Sequence, residues 1–548
     1  MKQKTKQILW ILFPIFSLVY LVWRIGWTIP FDHGVFPVIF SLILLLAELV
    51  GIAEMLVHFY TVSGRVQKKP PLPQVNAGDL PDVDVFVPTC GEPAELLERT
   101  LLACREMEYG DPAKVHIYLC DDADSLDMRQ LAMNLGVHYL SRKDRSGAKA
   151  GNLNAAMMQS HSPLIAVFDA DMCPRHEFLM QTVPYFLSEP GKNGDRRISG
   201  KIGYVQTPQQ FRNADLFQRV FRAETLIPNE QDYFYRSLEP ARNKTNSVIF
   251  GGSNTVLLRK ALEQTGGFVT DSLTEDFATG IEIQKLGYTC YAIPDALADG
   301  ISPESLSALI RQRSRWARGC IQAGRCTHLL TSKGLRMIQR LSYLTSISYW
   351  YAPVKRLIYL TSPLLYSVFG VTVMRCSFEQ MLIFWLPMYL CAVLGIRLTS
   401  DGIRTAKWSS VYETCLFPFL LLPVLAETFG IKKRDFVVTD KSGKAGWRWW
   451  YPLPFIALVI LSAAGIVRVV KMSLAQQTTI YLLLLFWLIY NLYQLLFALL
   501  FVFGSRSAPR EKEASGLVHD LNHDRFGRTS LFAIFIRMLS EIRKEKKT

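Results

Sequence analysis

The sequence contains few of the patterns that mark zinc-binding or disulfide-bonded proteins. Its ten cysteines include no Cys-x-x-Cys pair. The closest two, Cys320 and Cys326, have no histidine at the spacing of a zinc site. The Gly-x-x-x-x-Gly-Lys-Ser/Thr order of a P-loop is also absent. We therefore expect reduced, packed cysteines, and we exclude zinc-finger and P-loop functions.

A cleavable signal peptide is not expected either. The first apolar run follows a Lys-rich start, has no small-residue cleavage site and is followed at once by a second run. The net charge of +14 could suit nucleic acid. However, Lys and Arg flank the apolar runs, where cytoplasmic loops of membrane proteins carry them. The charge therefore indicates membrane topology, and we expect no nucleic-acid partner.

Long apolar runs are what the sequence has in place of those patterns. Several of these runs are close in length to the roughly 20 residues that a helix needs to cross a bilayer. Glu54 and His58 lie near the end of the second run, and we expect them at the cytoplasmic interface. Cys415–Ala426 contains two prolines and looks too short to cross, so we expect it to lie in the interface. The predicted spans are 8–27, 35–60, 341–374, 381–396, 449–467 and 479–503.

Between residues 70 and 300 short apolar runs alternate with helical patterns. This alternation predicts an α/β domain with a mostly parallel sheet, inserted between the transmembrane helices. Ligands of such sheets bind beyond the carboxyl ends of the strands. The predicted strands are 83–87, 115–120, 164–168, 202–206 and 248–250, and the predicted helices are 95–108 and 151–159.

Acidic residues follow two of these strands. Asp121 and Asp122 end the second, and Asp169 and Asp171 end the third. An Asp-x-Asp after a strand projects two hard oxygen ligands the same way, which suits Mg²⁺ or Mn²⁺ bridging a diphosphate. A solvated turn or helix cap is the alternative. Lys149, in a Gly-bounded turn before a helix, is a candidate diphosphate contact.

Two further motifs carry chemistry. Gln312, Arg315 and Trp316 fall at i, i+3 and i+4, so a helix would place an amide, a guanidinium and an indole on one face. That set suits a phosphate and a flat ring, although a basic helix on anionic lipid has the same composition. Glu275 and Asp276 open another helix, where they could also serve as partners of its dipole.

The order of these motifs resembles a known family. Asp121-Asp122, Asp169-Ala170-Asp171, Thr274-Glu275-Asp276 and Gln312-Arg313-Ser314-Arg315-Trp316 stand as in the family-2, cellulose-synthase-like processive glycosyltransferases, which have a GT-A fold. The resemblance covers roughly residues 81 to 441. It implies a multi-pass enzyme of the plasma membrane with a cytoplasmic catalytic domain. Such an enzyme transfers a hexose, here expected to be glucose from UDP-glucose, with inversion to a growing polysaccharide and secretes the chain through its own spans.

The resemblance also implies roles for single residues. Asp276 would be the catalytic base, and Asp169 with Asp171 would hold the metal. Trp316 and Glu275 would face the acceptor. The expected donor-binding residues are Thr89, Glu92, Asp121, Asp122, Lys149, Asp169, Gln312, Arg315, Thr439 and Lys441, the last two in a Phe-x-Val-Thr-x-Lys gating loop.

The expected domain division is as follows: a transmembrane hairpin 1–69, the GT-A domain 70–300, interfacial helices 301–340, spans 341–400, an interfacial helix with the gating loop 401–447, spans 448–504 and an amphipathic tail 505–548. The tail departs from bacterial cellulose synthase, because it shows no β-rich domain and no Arg-x-x-x-Arg hinge. We therefore expect no response to cyclic-di-GMP. The tail would lie on the membrane or, alternatively, form a homo-oligomer.

Three other functions stay open at this point. The chain could be a hyaluronan-type or chitin-type synthase that uses UDP-N-acetylglucosamine, since those enzymes share the core motifs. It could be a non-processive transferase that makes a glycolipid, with the spans as an anchor. It could also be a polymer-conducting scaffold without activity. Trp316, as a stacking surface for a polymer end, disfavours single transfer. The acidic motifs at the strand ends disfavour an inactive scaffold.

Overall fold

The computed structural model describes residues 2–63, 69–190, 196–224, 226–400, 403–431, 447–476 and 481–506. The chain starts with an antiparallel pair of helices, α1 (Lys2–Trp27) and α2 (Val35–Val62). Arg24 of α1 is completely buried and donates to Glu48 of α2 at 3.0 Å. A charge within an apolar helix pair needs a partner, so this ion pair fixes how the two helices face each other.

A mixed sheet forms the middle of the chain. Its strand order is β3-β2-β1-β4-β8-β6-β9, and β5, β10 and β7 form a small second sheet. Neighbouring strands of the main sheet run parallel, except that β8 is antiparallel to both β4 and β6. The strands are β1 (Val83–Thr89), β2 (Val115–Asp121), β3 (His138–Ser141), β4 (Leu164–Val167), β5 (Cys173–Pro174), β6 (Ile202–Gln206), β7 (Gln210–Phe211), β8 (Thr255–Leu258), β9 (Thr289–Ala292) and β10 (Ala298–Gly300).

Helices cover the main sheet and bury it. All seven residues of β1 are buried, as expected for a central strand with both faces covered. The helices of this region are α3 (Ala94–Arg105), α4 (Leu126–Leu135), α5 (Ala148–Met158), α6 (Phe178–Thr182), α7 (Leu216–Val220), α8 (Glu239–Ala241), α9 (Arg259–Thr265) and α10 (Glu275–Lys285).

The predicted strand at 248–250 is wrong. The carbonyl of Val248 is taken by side chains instead of a neighbouring strand: it accepts from the hydroxyls of Tyr204 at 2.6 Å and Tyr343 at 2.9 Å, and from the amide of Gln284 at 2.8 Å. The strand that enters the sheet is β8, five residues later. An apolar run of three residues does not distinguish a buried strand from buried irregular chain.

The described residues after β10 are mostly helical. A long amphipathic helix, α11, leaves the sheet domain and carries the Gln312–Trp316 motif, and further helices follow it. They are α11 (Leu306–Cys326), α12 (Met337–Tyr349), α13 (Ala352–Phe369), α14 (Phe378–Gln380), α15 (Leu386–Thr399), α16 (Ala406–Thr428), α17 (Leu453–Gln476) and α18 (Leu482–Gly504).

Six helical segments within the described ranges are long and apolar enough to cross a membrane. Their number agrees with the predicted six spans, but their membership differs. The segment expected to be too short belongs to the 23-residue helix α16, which continues through Pro418 and Pro423. Conversely, α13 is not among the six. The six are Lys4–His33, Val35–Val62, Phe378–Thr399, Ala406–Thr428, Leu453–Gln476 and Leu482–Gly504.

Candidate active site

One cavity of about 950 Å³ lies at the carboxyl ends of β1, β2 and β4. From there it continues along α11 and between the helices of the hydrophobic part of the chain. It therefore joins the acidic strand ends to the membrane region without a break. Of the predicted site residues, those that line it are Thr89, Glu92, Asp122, Lys149, Asp169, Asp171, Glu275, Asp276, Gln312, Arg315 and Trp316.

Lys149 of α5 contacts both the residue that follows β4 and the loop that precedes β8. Its ammonium lies 2.5 Å from Oδ1 of Asp169 and donates to the carbonyl of Gly252 at 2.7 Å. Burial lowers the pKa of Lys149, but the nearby carboxylates of Asp169 and Glu275 outweigh that effect, and the pKa is raised overall. A permanently charged ammonium among carboxylates suits an anionic ligand such as a diphosphate.

The two aspartates after β4 differ in their surroundings. Asp169 is partly exposed to the cavity, and its backbone N–H donates to the hydroxyl of Ser253 at 2.8 Å. Asp171 is buried and accepts from the N–H of Ile301 at 3.3 Å. In the described part of the chain, no group of three or more His, Cys, Asp or Glu could hold a metal ion. The pair fits Mg²⁺ or Mn²⁺ only if a bound diphosphate adds oxygen ligands.

Asp276 lies in the first turn of α10, against the loop that precedes β8. Its Oδ1 accepts from the N–H of Phe277 at 2.7 Å. Its Oδ2 faces Gly252, where a Cβ would come within 2.4 Å of that oxygen and φ is +80°. Burial and then the charge of Glu275 raise the pKa of Asp276 to about 7, although Lys149 and Arg315 oppose the shift. A carboxylate with this pKa is suited to accept a proton near neutral pH.

Residues where β1 and β2 end line another part of the cavity. Thr89 and the N–H of Cys90 both donate to Glu92, at 2.7 and 2.6 Å. Asp122 accepts two hydrogen bonds from Arg142, at 2.6 and 2.8 Å. This bidentate pair holds the carboxylate in one orientation beside the opening.

Asp121 is not brought to the cavity. It is completely buried, and its carboxylate accepts from the N–H groups of Ala123 at 2.8 Å and Ser125 at 2.7 Å, and from the hydroxyl of Tyr139 at 3.0 Å. Asp121 is therefore the last residue of β2, and its carboxylate is held by the turn that follows the strand. Adjacent residues at a strand end point to opposite sides, which explains why only one of the two aspartates faces the cavity.

The motif on α11 faces the cavity as its spacing predicts. Nη1 of Arg315 lies 3.4 Å from the carbonyl of Leu273, and the ring of Trp316 meets that of Trp350 at a centroid distance of 6.4 Å. Other basic residues of α11 bind protein carboxylates, for example Arg313 to Glu230 at 2.5 Å. These contacts argue against a helix whose charged face lies on lipid.

Several residues that contact the cavity-lining side chains were missed from the sequence. Gly252 and Ser253 follow the apolar run 248–250, and their Gly-Gly-Ser pattern is a signal for a close backbone approach. Arg142 gave no such signal, because its partner Asp122 is 20 residues away. Thr439 and Lys441 lie outside the described residues.

Glu54 and His58, which we expect at the cytoplasmic interface, both have protein partners. Glu54 accepts two hydrogen bonds from Lys355, both at 2.7 Å, and a ring nitrogen of His58 lies 3.1 Å from the hydroxyl of Tyr233. Both residues line the cavity. Ionisable groups in an apolar helix pair are retained where they have partners or a polar lumen, and α2 has both.

Comparison with known proteins identifies the class. Residues 164–399 match the family described as "Glycosyl transferase family group 2". This part of the chain is therefore similar to the glycosyltransferases of that group. With the mixed sheet and the flanking apolar helices, this confirms the predicted class: a GT-A domain inserted in a multi-pass membrane protein.

The predicted resemblance to cellulose synthases is also confirmed. The chain is 32% identical over 455 residues to the UDP-forming cellulose synthase catalytic subunit of Pseudomonas fluorescens strain SBW25, an alignment that covers 82% of this chain and 60% of that protein. It is 30% identical over 470 residues to the UDP-forming cellulose synthase 1 catalytic subunit of Komagataeibacter xylinus, covering 85% and 61%. The chain thus spans about three fifths of the length of these relatives.

Among solved structures, the mannosyltransferase PcManGT from Pyrobaculum calidifontis in complex with GDP-Man and Mn²⁺ superposes with a TM-score of 0.49. The sequence identity is 18%, and the superposition covers 72% of this chain and 100% of that one. A likeness at this level says nothing about the ligands of the present chain.

Proposed function

We propose that the chain is an inverting, processive polysaccharide synthase that transfers glucose from UDP-glucose to the end of a growing β-glucan. One observation carries the proposal: a single cavity contains Asp276, the aspartates after β4 and Trp316, and it continues between the apolar helices. A site for chemistry and a route for a long product are therefore continuous. The UDP-forming relatives support the choice of donor.

The proposed chemistry is a direct displacement at the anomeric carbon. Asp276 would take the proton of the acceptor hydroxyl, for which its raised pKa is suited. Lys149 and Arg315 would bind the diphosphate and oppose the negative charge that grows on it as the sugar leaves. Mg²⁺ or Mn²⁺, held by Asp169 and Asp171, would supply further positive charge to the diphosphate.

The remaining predicted residues divide between donor and acceptor. Thr89, Glu92 and Asp122 would surround the nucleoside, since they line the cavity where β1 and β2 end. Gln312 would contact the donor next to Arg315. Trp316 would hold the acceptor ring with its indole face, and Glu275 would lie on the same side. In this proposal Asp121 supports the donor pocket through its turn rather than by contact.

We further propose that the sheet domain is cytoplasmic and that the protein sits in the plasma membrane, with α16 in the interface rather than across it. Helix α16 runs beside α11 along its length: Tyr412 accepts from Arg313 near one end, and Glu427 accepts from Arg325 near the other. Helix α11 also packs on the sheet domain. Because α16 lies alongside α11, a position of α16 in the membrane interface is more consistent with these contacts than one in the bilayer core. Lipid and a growing polymer are then the partners.

Purified full-length chain in lipid nanodiscs tests the proposal. Incubation with UDP-glucose and Mg²⁺ or Mn²⁺ should release UDP and yield a polymer that a β-glucanase digests. UDP-N-acetylglucosamine in place of UDP-glucose tests the hyaluronan- or chitin-type alternative. Release of UDP with only a single sugar added to lipid would indicate the non-processive enzyme. No UDP release from any donor would contradict the enzyme and favour the scaffold.

A further inference from the structure

Glu427, near the end of α16, is completely buried and bound by one face of α11. Its carboxylate accepts from Nε of Arg318 at 3.1 Å, from the amide of Gln322 at 2.8 Å and from Nη2 of Arg325. Arg325 also donates to the backbone carbonyl of Glu427 at 2.6 Å. The three donors lie at i, i+4 and i+7, so a single face of α11 supplies them.

Gln322 also has a partner outside α16. Its Oε1 accepts from the backbone N–H of Leu273 at 3.0 Å. An amide can donate to Glu427 and accept from Leu273 only in one orientation, so the carboxylate determines which atom of Gln322 faces the chain before α10. Leu273 stands three residues before Asp276.

The same stretch touches α11 at two more places. The hydroxyl of Ser272 donates to the carbonyl of Gly319 at 3.0 Å. At Gly319 a Cβ would come within 2.7 Å of the backbone nitrogen of Thr274, so the helix and the loop are in direct backbone contact there. Residues 272–274 are therefore attached to α11, and the first turn of α10 with Asp276 follows directly.

We propose that Gln322 is a positioning residue for Asp276, and that Glu427 of α16 acts on the base through it. The inference rests on the proposed function, in which Asp276 takes the proton of the acceptor. Gln322 itself is not among the residues that line the cavity. A displacement of about 1 Å at a reacting group can reduce the rate about 100-fold, so a hydrogen bond that fixes the loop can matter without touching the substrate.

The variant Gln322→Leu tests this proposal. It removes the hydrogen bonds to Glu427 and Leu273 while the side chain keeps a similar volume. We expect kcat for UDP release to fall about ten- to 100-fold with little change in KM for UDP-glucose. The acid limb of the pH–rate profile should also move, since the surroundings of Asp276 change. A lower yield of folded protein with wild-type kcat and pH profile would show a merely structural role and overturn the proposal.

Arg325→Gln is the matched control. It weakens the hold on the same carboxylate of Glu427 but leaves the contact with Leu273, so kcat and the pH profile should stay close to wild type. An equal loss in both variants would mean that the attachment of α16 as a whole matters, which contradicts a specific role of Gln322.

A second measurement does not depend on activity. Hydrogen exchange in the nanodisc-bound chain should speed up at the amide of Leu273 in Gln322→Leu and not in Arg325→Gln. Unchanged exchange in Gln322→Leu would contradict the proposal even if activity falls. If the exchange changes as expected but wild-type protein releases no UDP from any donor, the proposed function fails while the link between Gln322 and the loop stands.

Discussion

The guanidinium of Arg313 lies 4.3 Å from the centre of the indole ring of Trp316, three residues further along α11. Arg313 is itself held by Glu230 at 2.5 Å and by the hydroxyl of Tyr412 at 3.2 Å. A cation over the face of an indole attracts it by about 0.5–2 kcal/mol, more when the pair is shielded from water. Protein therefore covers one face of Trp316, and in the proposed function the other face would hold the sugar ring.

Trp316→Ala should abolish long polymer and leave binding of UDP-sugar nearly intact, because an indole face holds a sugar ring without contacting the nucleotide. Arg313→Met should keep the indole but loosen it, and we expect shorter products than those of wild type. Size analysis of radiolabelled product and titration with UDP measure the two effects. Product of wild-type length from Trp316→Ala would contradict the acceptor role.

Asp276→Asn keeps the shape of the side chain and removes its basicity. Loss of a general base reduces rates by about 10²–10⁴-fold, so kcat should fall by that factor. UDP affinity in the presence of metal should stay within a few-fold of wild type, because the base acts only on the acceptor. Asn also caps helices well, so a capping role alone predicts nearly full activity for this variant.

The pH dependence of activity follows from the pKa of Asp276, which burial and Glu275 raise to about 7. The base works only when deprotonated, so kcat/KM should rise with pH and level off above about pH 7. Glu275→Gln removes a neighbouring negative charge, lowers the pKa of Asp276 and should move the acid limb to lower pH. An unchanged limb in this variant would mean that another group titrates.

The same raised pKa predicts how stability depends on pH. Between about pH 4, the usual pKa of an aspartate, and about pH 7 the folded chain binds more protons than the unfolded chain. Asp276 therefore makes stability decrease as pH rises through this window. Asn cannot titrate, so the variant Asp276→Asn should lack that decrease. The difference between its thermal midpoint and that of wild type should therefore shift in favour of the variant between about pH 4 and about pH 7. A difference that does not vary with pH would contradict the raised pKa.

Metal dependence should reside in the two aspartates after β4. Asp169→Asn and Asp171→Asn should abolish turnover and weaken UDP binding in Mg²⁺ or Mn²⁺, and EDTA should do the same to wild type. In EDTA the variants and wild type should bind UDP with similar affinity, since the contribution of the ion is then absent from all three. Full activity of wild type in EDTA would remove the metal from the mechanism.

A stability prediction concerns a buried ion pair whose two residues do not line the cavity. Nη2 of Arg259 lies 2.6 Å from Oδ2 of Asp84, and both residues are buried. Arg259→Met leaves the carboxylate without its cation and should lower the free energy of unfolding by about 3–5 kcal/mol. Thermal unfolding in detergent measures this. Asp84→Asn combined with Arg259→Met should recover part of the loss, because the uncompensated charge is then gone.

The sequence predicted those parts of the site that follow apolar strands or share a helix face. Asp169, Asp171 and Trp316 were found in this way, because strand ends and helical spacing are local patterns. The contact of Lys149 with Gly252 could not be predicted, since 103 residues separate the two. The roles of Asp121 and Asp122 also needed the structure, because an adjacent pair of acids does not tell which one turns towards the cavity.

The length of α16 shows a different limit of sequence reasoning. Pro418 and Pro423 suggested a short segment, yet the helix continues through both. A proline inside a helix costs about 3 kcal/mol or more in isolation. Packing of α16 against α11, α13 and α18 compensates for that cost, and such tertiary contacts are not visible in a run of residue types.

The reversed direction of β8 has a consequence for dividing the protein into parts. Because β8 runs against β4, the residues just before it meet the residues just after β4, and Ser253 and Gly252 reach Asp169 and Lys149 in this way. A fragment that ends before residue 250 would keep the aspartates and lose the groups that hold them in place. A fragment that keeps the surroundings of Asp169 and Lys149 must therefore extend at least through Ser253 and β8.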